Sequence, residues 1–188
     1  MAKDSPSIQT TFKAAKDATT LRIHFPETVV VTTAGANLTT TQAKSAPTFS
    51  VSASALKSTT STRYIVVAID IDAPFPSIPV LGPILHGIHV DLVAGSTPDA
   101  DGFVPLEGPA EWFVPYIGPA PPKPSSAHRY MFLVFEQPET LDGAKIKSVI
   151  GVGPDIKLTG RMWWDQKGFE EKMGLGDVLA GNFFLARS

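Results

Sequence analysis

An apolar run that ends in two acids constrains the fold of this chain most. From Tyr64 to Ile69 both alternating faces are apolar, and Asp70 and Asp72 follow. A strand that is apolar on both faces is typical of the middle of a sheet that is covered on both sides. A carboxylate at the end of such a strand is costly unless it is paired or hydrogen-bonded. The run therefore predicts a central strand whose end carries a polar site.

A second apolar run begins at His86, after a loop that is rich in proline and nearly uncharged. Strand alternation divides this run into two faces. We expect one face to be enclosed in the core and the other, more polar face to lie on the surface. The enclosed set is His86, Ile88, Val90 and Leu92, and the surface set includes His89 and Asp91.

These two strands predict a pocket at the proline-lined end of the sheet. Asp70 has the same parity as Tyr64, and Asp72 shares that side if the chain stays extended. An enclosed His86 that faces either acid could serve as a general acid or base near neutral pH. The residues alone leave an alternative open, in which His86 is a hydrogen-bonded core histidine and the acids shape the turn.

Two other chemistries are less favoured by the residue spacing. Two acids and two imidazoles, Asp70, Asp72, His86 and His128, could hold a divalent ion, but no HExxH or paired-histidine spacing supports a metal site. A Ser-His-Asp triad can be drawn on a chain with many serines, but the sequence contains no G-x-S-x-G nucleophile elbow.

Composition excludes several classes of protein. The 188 residues contain no cysteine, which excludes disulfides, cysteine-bound zinc and a cysteine nucleophile. A net charge of -2 argues against binding to nucleic acid. No secretory signal is readable at the N-terminus, and no apolar run approaches the about 20 residues that span a bilayer. We expect one domain over residues 1–188, with no cofactor, no transmembrane segment and a cytoplasmic location.

Periodicity predicts further elements along the chain. Ser7 to Ala18 forms either a short helix or a loosely packed arm. Residues 95–118 are loop-dominated, and residues 143–160 are weakly patterned. A helix capped by Asp165 runs to Met173 and stops at Gly174. The predicted strands are 21–25, 29–33, 47–54 and 129–135, and residues 180–185 form either a closing strand or a packed tail.

Two motifs resemble those of the phosphatidylethanolamine-binding protein (PEBP) family, which includes the RAF kinase inhibitor and the carboxypeptidase Y inhibitor. Residues 70–74, DIDAP, followed by His86, are similar to the family's DPDAP signature and its histidine. Residues 118–123, GPAPPK, with HRY at 128–130 and EQP at 136–138, are similar to its second signature. Weaker similarities at 38–48 and 164–184 extend the resemblance over nearly the whole chain.

The resemblance implies a mainly β fold, in which a large central sheet packs against a smaller sheet with a few short helices, including one near the C-terminus. It also implies a small cavity for anions such as phosphate, phosphoryl groups or carboxylates. The positions that would line this cavity are Asp70, Asp72, Ala73, Pro74, His86, Gly118, Ala120, Pro121, Pro122, His128 and Tyr130.

The chain departs from the family pattern around the cavity. Ile71 stands where the family has proline, Gly87 follows the histidine in place of a bulky residue, and Phe184 replaces a tyrosine of some members. Residues 82–84, GPI, replace a polar Arg-Glu-Trp, and the aromatic often found at Leu81 is gone. The rim thus becomes smaller and more apolar, which favours a compact, partly hydrophobic anion.

The resemblance leaves three functions open. The first is binding of a small anion without turnover. The second is a role as an enzyme, or as an accessory to one, in fungal natural-product biosynthesis, where His86, Asp70 and Asp72 would act as acid and base on a carboxylate or anhydride. The third is inhibition of a protease, as in the carboxypeptidase Y inhibitor. A protein partner, either a protease or a biosynthetic enzyme, is therefore possible alongside a small ligand.

Overall fold

The computed structural model describes residues 5–26, 29–56 and 62–188, and strands dominate it. The strands are β1 (Leu21–Phe25), β2 (Val29–Val31), β3 (Ala36–Thr39), β4 (Thr48–Ser52), β5 (Arg63–Asp70), β6 (Ile84–Ala94), β7 (Phe103–Glu107), β8 (His128–Gln137) and β9 (Ala180–Arg187). The helices are α1 (Pro6–Asp17), α2 (Gly143–Ile150), α3 (Leu158–Arg161) and α4 (Gln166–Met173).

The strands join in the order β2-β1-β4-β7-β6-β5-β8-β9-β3. Two residue pairs, Val93 with Glu107 and Ala94 with Leu106, connect β6 to β7. This narrow junction lets the smaller part of the sheet, β2-β1-β4-β7, fold over the larger part. The two parts meet through aromatic rings, with the Phe49 and Phe132 centroids 5.6 Å apart. The expected fold, a large sheet against a smaller one, is confirmed.

Two apolar cores lie on opposite faces of the larger part of the sheet. Val66 and Ala68 of β5 point into the first core, which the smaller part covers. Ile65 and Val67 point into the second core, which the helices cover. Both faces of β5 are therefore buried, as the sequence predicted for a central strand. Among the described residues, no helix has the length and apolarity needed to cross a membrane.

The C-terminal helix α4 has the ends that the sequence predicted. The Asp165 carboxylate accepts a hydrogen bond from the Gly168 N–H at 3.0 Å, which caps the first turn. Gly174 ends the helix in the left-handed region, at φ 68°. Phe169 and Met173 lie one turn apart and are buried in the second core. The N-terminal segment is also a helix, α1, which the sequence had left undecided.

Three elements lie where the sequence predicted only loop or weak pattern. Strand β7 lies within residues 95–118 and contains Pro105, whose ring removes a backbone donor. Helix α2 lies within residues 143–160, and helix α3 begins there and ends one residue beyond. Strand β7 and helix α3 have five and four residues, so their patterns are too brief to read. Helix α2 has eight residues, as α4 does, and sequence reasoning missed its caps. Asp142 caps α2 by accepting from the Lys145 N–H at 2.8 Å.

His86 is enclosed as expected, at 6% exposed, but it does not share a face with Ile88 and Val90, because β6 contains a β-bulge. Ala68 pairs with Gly87 and Ile69 pairs with Leu85, so His86 is an extra residue between two aligned pairs. An extra residue shifts the alternation of every side chain beyond it. Ile88 and Val90 consequently point into the second core. His86 lies instead on the side of the first core, beside Tyr130.

The expected surface position of His89 was also wrong. His89 is 8% exposed, and its ring stacks on Trp112 with centroids 4.9 Å apart. Its Nε2–H donates to the Pro109 carbonyl at 2.8 Å. A second register shift, after Tyr64, brings Leu92 into the first core. Asp91 is half-exposed, and it forms an ion pair with Arg63.

Candidate functional site

Asp70 and His128 meet where β5 and β8 pair. Asp70 is the last residue of β5 and lies opposite Tyr130, and His128 opens β8. The Asp70 Oδ2 lies 2.8 Å from the His128 Nδ1. The other oxygen, Oδ1, accepts from the Asp72 N–H at 2.8 Å. Both side chains are buried, so the carboxylate and the imidazole compensate each other's loss of water.

The chain does not stay extended after Asp70, and Asp72 turns to Arg129. Its carboxylate accepts from the Arg129 Nη2 at 2.6 Å, Nε at 2.8 Å and backbone N–H at 2.9 Å. Arg129 points to the opposite face of β8 from His128 and Tyr130, by strand alternation. The two acids therefore serve opposite faces of the sheet. Sequence reasoning gave Arg129 no role, although a buried Asp72 required a cation.

His86 is held by hydrogen bonds to the backbone of Ile117. Its Nδ1–H donates to the Ile117 carbonyl at 2.7 Å, and the Ile117 N–H donates to the His86 carbonyl at 2.8 Å. Burial lowers the pKa of His86 below 6.5, against the opposing influence of Asp70 and the Ile117 carbonyl. The Nδ1–H tautomer leaves the lone pair on Nε2. His86 thus accepts a hydrogen bond near neutral pH.

The pKa of His128 shifts in the opposite direction to that of His86. Burial acts to lower the pKa of His128, but the hydrogen bond and charge of Asp70, the charge of Asp72 and the Pro74 carbonyl outweigh it and raise the pKa above 6.5. Its Nε2 lies 3.0 Å from the Pro74 oxygen and 2.9 Å from the Ser125 Oγ. Acceptors at both ring nitrogens favour the imidazolium.

Tyr130 lies between the two imidazoles. Its ring meets the His86 ring edge-on at 5.1 Å and stacks with the His128 ring at 6.3 Å between centroids. Burial and the charge of Asp70 raise the pKa of Tyr130, so its hydroxyl stays protonated. Tyr116 covers this group and donates to the Ala43 carbonyl at 2.9 Å. The gap beside His86 is about 140 Å³ and too narrow for a water-sized sphere.

Residues 118–124, the proline-rich segment between β7 and β8, close the other side of the site. Gly118 packs so tightly against the backbone of Lys44 that a Cβ would lie 2.8 Å from the Lys44 Cα. The Ser188 hydroxyl donates to the Pro121 carbonyl, which ties the end of the described chain to this segment. Of the predicted lining positions in this segment, Ala120 and Pro122 are exposed, and Ala73 is buried on the opposite loop.

Arg161 also supports the site, and sequence reasoning missed it. It is 3% exposed and donates to the Leu85 carbonyl at 3.3 Å and the Pro115 carbonyl at 2.9 Å. Burial lowers the pKa of Arg161 from its ordinary value. It joins the start of β6 to the segment that carries Tyr116. Its partners are backbone carbonyls far away in the sequence, so no local pattern could have indicated it.

The structure thus brings together His86, Tyr130, His128, Asp70 and Pro74, and it places Asp72 on the other face.

The phosphatidylethanolamine-binding protein family model matches residues 17–184. Phomoidride biosynthesis cluster protein N of Talaromyces stipitatus is 32% identical over 65% of this chain and 58% of its own length. Carboxypeptidase Y inhibitor of Saccharomyces cerevisiae is 38% identical over 40% of this chain and 33% of its own length. The chain thus spans less than two thirds of these relatives.

Solved structures agree with the sequence matches. Carboxypeptidase Y inhibitor in complex with its cognate proteinase superposes with a TM-score of 0.73, covers 96% of both chains and is 24% identical. A phosphatidylethanolamine-binding protein from Plasmodium vivax superposes with a TM-score of 0.61, covers 92% of this chain and 88% of its own, and is 16% identical. At these identities the likeness establishes the fold.

Proposed function

Because the chain belongs to the phosphatidylethanolamine-binding protein family, we propose that it binds a small phosphate-, phosphoryl- or carboxylate-bearing ligand beside His86, Tyr130 and His128. One observation carries the proposal: at the end of the sheet the phenol of Tyr130 lies between two imidazoles, one with a lowered pKa and one with a raised pKa. Charge-assisted hydrogen bonds from such donors are the strong contacts that anions make in proteins.

The two histidines have different roles in this proposal. His128 supplies a positive charge that Asp70 maintains. His86 supplies a lone pair, which accepts a proton shared with a protonated phosphate or carboxylic acid. An anion beside His86 would favour its charged form and raise its pKa. Binding is therefore coupled to proton uptake by His86, and affinity increases as the pH falls through the pKa of His86 in the complex, which lies above that of the free protein.

The rim favours a compact ligand. Leu81, in the loop before β6, and Ile84, the first residue of β6, are partly buried, and this side of the site has little polar surface to match a large headgroup. Tyr116 lines the gap beside His86. A ligand enters when residues 116–124 move outward, and Arg161 and the hydroxyl of Tyr116 hold the start of that segment.

Titration of the protein with inorganic phosphate, phosphoethanolamine and succinate, followed by calorimetry and by the imidazole signals in NMR, tests the proposal. His86→Ala should weaken binding about tenfold to a hundredfold, the value of one hydrogen bond to a charged group. His24→Ala is the matched control, because His24 is a half-exposed histidine on β1 whose ring contacts Ser50. It should bind as the wild type does.

Failure of the wild type to bind any of the three anions between pH 5 and 8 would refute the proposal. Equal binding by wild type and His86→Ala would place the anion elsewhere on the molecule. A change in the His86 ring signals with phosphate, and not in those of His24, is the expected result.

Protease binding is a second candidate, favoured by the likeness to carboxypeptidase Y inhibitor over nearly the whole of both chains. The test is the rate at which a serine carboxypeptidase cleaves a peptide in the presence of increasing amounts of the protein. Saturable inhibition that persists in His86→Ala would assign the protease to a surface separate from the anion site. An unchanged rate at a large molar excess would remove this candidate.

A further inference from the structure

Ser125, His128 and Asp70 lie in a line of hydrogen bonds. The Ser125 Oγ is 2.9 Å from the His128 Nε2, and the His128 Nδ1 is 2.8 Å from the Asp70 Oδ2. His128 is 1% exposed, whereas Ser125 is partly exposed and can be reached from solvent. A hydroxyl next to a base that a third group orients is the arrangement of an activated nucleophile. Such triads are recognised by geometry and not by the order of residues in the sequence.

Each member has a defined part in this arrangement. Asp70 accepts from the Nδ1–H, which fixes the tautomer and leaves the lone pair of a neutral His128 on Nε2, directed at Ser125. The Ser125 hydroxyl also lies 2.9 Å from the Ser126 carbonyl, so it turns from that oxygen to the imidazole once His128 has lost its proton. The Pro74 carbonyl, 3.0 Å from Nε2, stabilises the imidazolium that forms when the proton arrives.

We propose that Ser125 is a nucleophile that accepts an acyl group from an activated ester or anhydride, with His128 as its base and Asp70 as the positioning residue. The Ser125 proton moves to the His128 Nε2 as Oγ bonds to the acyl carbon. The bond from that carbon to the leaving oxygen then breaks. A departing alkoxide takes the proton from His128; a departing carboxylate leaves without it, and His128 then releases the proton to solvent water. Water releases the acyl group in the reverse sequence, with His128 again as the base.

The setting of Ser125 restricts the substrate to activated acyl groups. Ser125 lies in irregular chain between β7 and β8, and not at the first turn of a helix. It therefore lacks the row of helical N–H groups that stabilises an oxyanion in many hydrolases. An ester or anhydride with a good leaving group needs less of that stabilisation than an amide does. The pairing of Asp70 with His128, and not with His86, makes His128 the base of this reaction.

Reaction with a fluorophosphonate, followed by intact-protein mass spectrometry and peptide mapping, tests the inference. The expected result is one adduct per chain at Ser125. Its rate should rise with pH and level off above the pKa of His128. Ser125→Ala should lose at least about a hundredfold in rate, the usual contribution of a general base. Ser126→Ala is the matched control, since it changes the neighbouring exposed serine and keeps the backbone carbonyl.

Three outcomes would overturn the inference: equal labelling of wild type and Ser125→Ala, an adduct at Ser126 in place of Ser125, or a rate that grows with hydroxide without levelling off. Hydrolysis of p-nitrophenyl acetate by the same variants gives an independent readout of turnover. The inference does not depend on the anion site, because neither assay requires phosphate or succinate to bind. Failure of either proposal is therefore recognised separately.

Discussion

Asp70 and Asp72 are two residues apart in the sequence but have different hydrogen-bond partners. One oxygen of Asp70 accepts from the His128 imidazole and raises its pKa. The other oxygen accepts from the Asp72 N–H in the turn that follows β5. Asp72 is 1% exposed and is neutralised by Arg129 on the far face of β8. The motif at 70–74 thus pairs one carboxylate with His128 and the other with Arg129, on opposite faces of the sheet.

Arg129→Ala should destabilise the protein by about 3 kcal/mol, the effect of leaving a buried charge without its partner. Asp72 would lose two side-chain hydrogen bonds in this variant and keep the one from the residue 129 N–H. The free energy of unfolding in urea measures the change. Lys167→Ala is the control, because its pair with Glu171 is exposed on both sides and should matter little. Equal stability of the two variants would show that Asp72 does not need Arg129.

At the scale of elements, strand β6 determines the shape of the site. The bulge at His86 turns this imidazole toward Tyr130, and Gly87 then lies against Trp112. Glycine is required at that position by contact. A Cβ on Gly87 would lie 2.7 Å from the Trp112 Cε3 and 3.2 Å from the Tyr116 Cα.

Gly87→Ala should therefore cost about 1–3 kcal/mol of stability, as overpacking of a core does. Displacement of Trp112 and Tyr116 should also make the fluorescence of Trp112 more accessible to quenching by acrylamide. Gly176→Ala is the matched control, because a Cβ at residue 176 would have open space around it, with no atom of the described chain within 4 Å. If Gly87→Ala were as stable as the wild type, Trp112 and Tyr116 would be able to move away from residue 87 at little cost in free energy.

For the molecule as a whole, the two site histidines impose opposite pH dependences on stability. The pKa of His128 is raised, so its contribution is complete below 6.5, the unfolded value, and is lost as the pH rises through the folded pKa. The pKa of His86 is lowered, so its contribution is complete above 6.5 and is lost as the pH falls through the folded pKa. Together they place a stability maximum near pH 6.5.

Urea unfolding at pH values from 5 to 9 checks this prediction. In His128→Gln the decline above pH 6.5 should disappear relative to wild type, while the decline below pH 6.5 remains. His24→Ala should keep the decline above pH 6.5, because His24 lies away from Asp70. An unaltered alkaline decline in His128→Gln would assign it to other groups.

The sequence predicted the elements that have a clear pattern of apolar residues or clear capping residues at their ends. Strands β5 and β8 are apolar on both faces, and α4 has a capping Asp165 and a terminal Gly174, so each could be read without its neighbours. Strand β7 and helix α3 could not, because they have only five and four residues and depend on what they pack against. Helix α2 has the length of α4 and similar caps, Asp142 and Gly151, which sequence reasoning missed.

The sequence by itself determined the central strand, the polar end of that strand and the family, since these depend on residue types and spacing along one chain. Only the tertiary structure decided which groups meet. A single extra residue in β6 moved His86 to the other face, and pairing between β5 and β8 gave Asp70 to His128 and Asp72 to Arg129. Register and hydrogen-bond partners are properties of two strands together, so neither strand's sequence contains them.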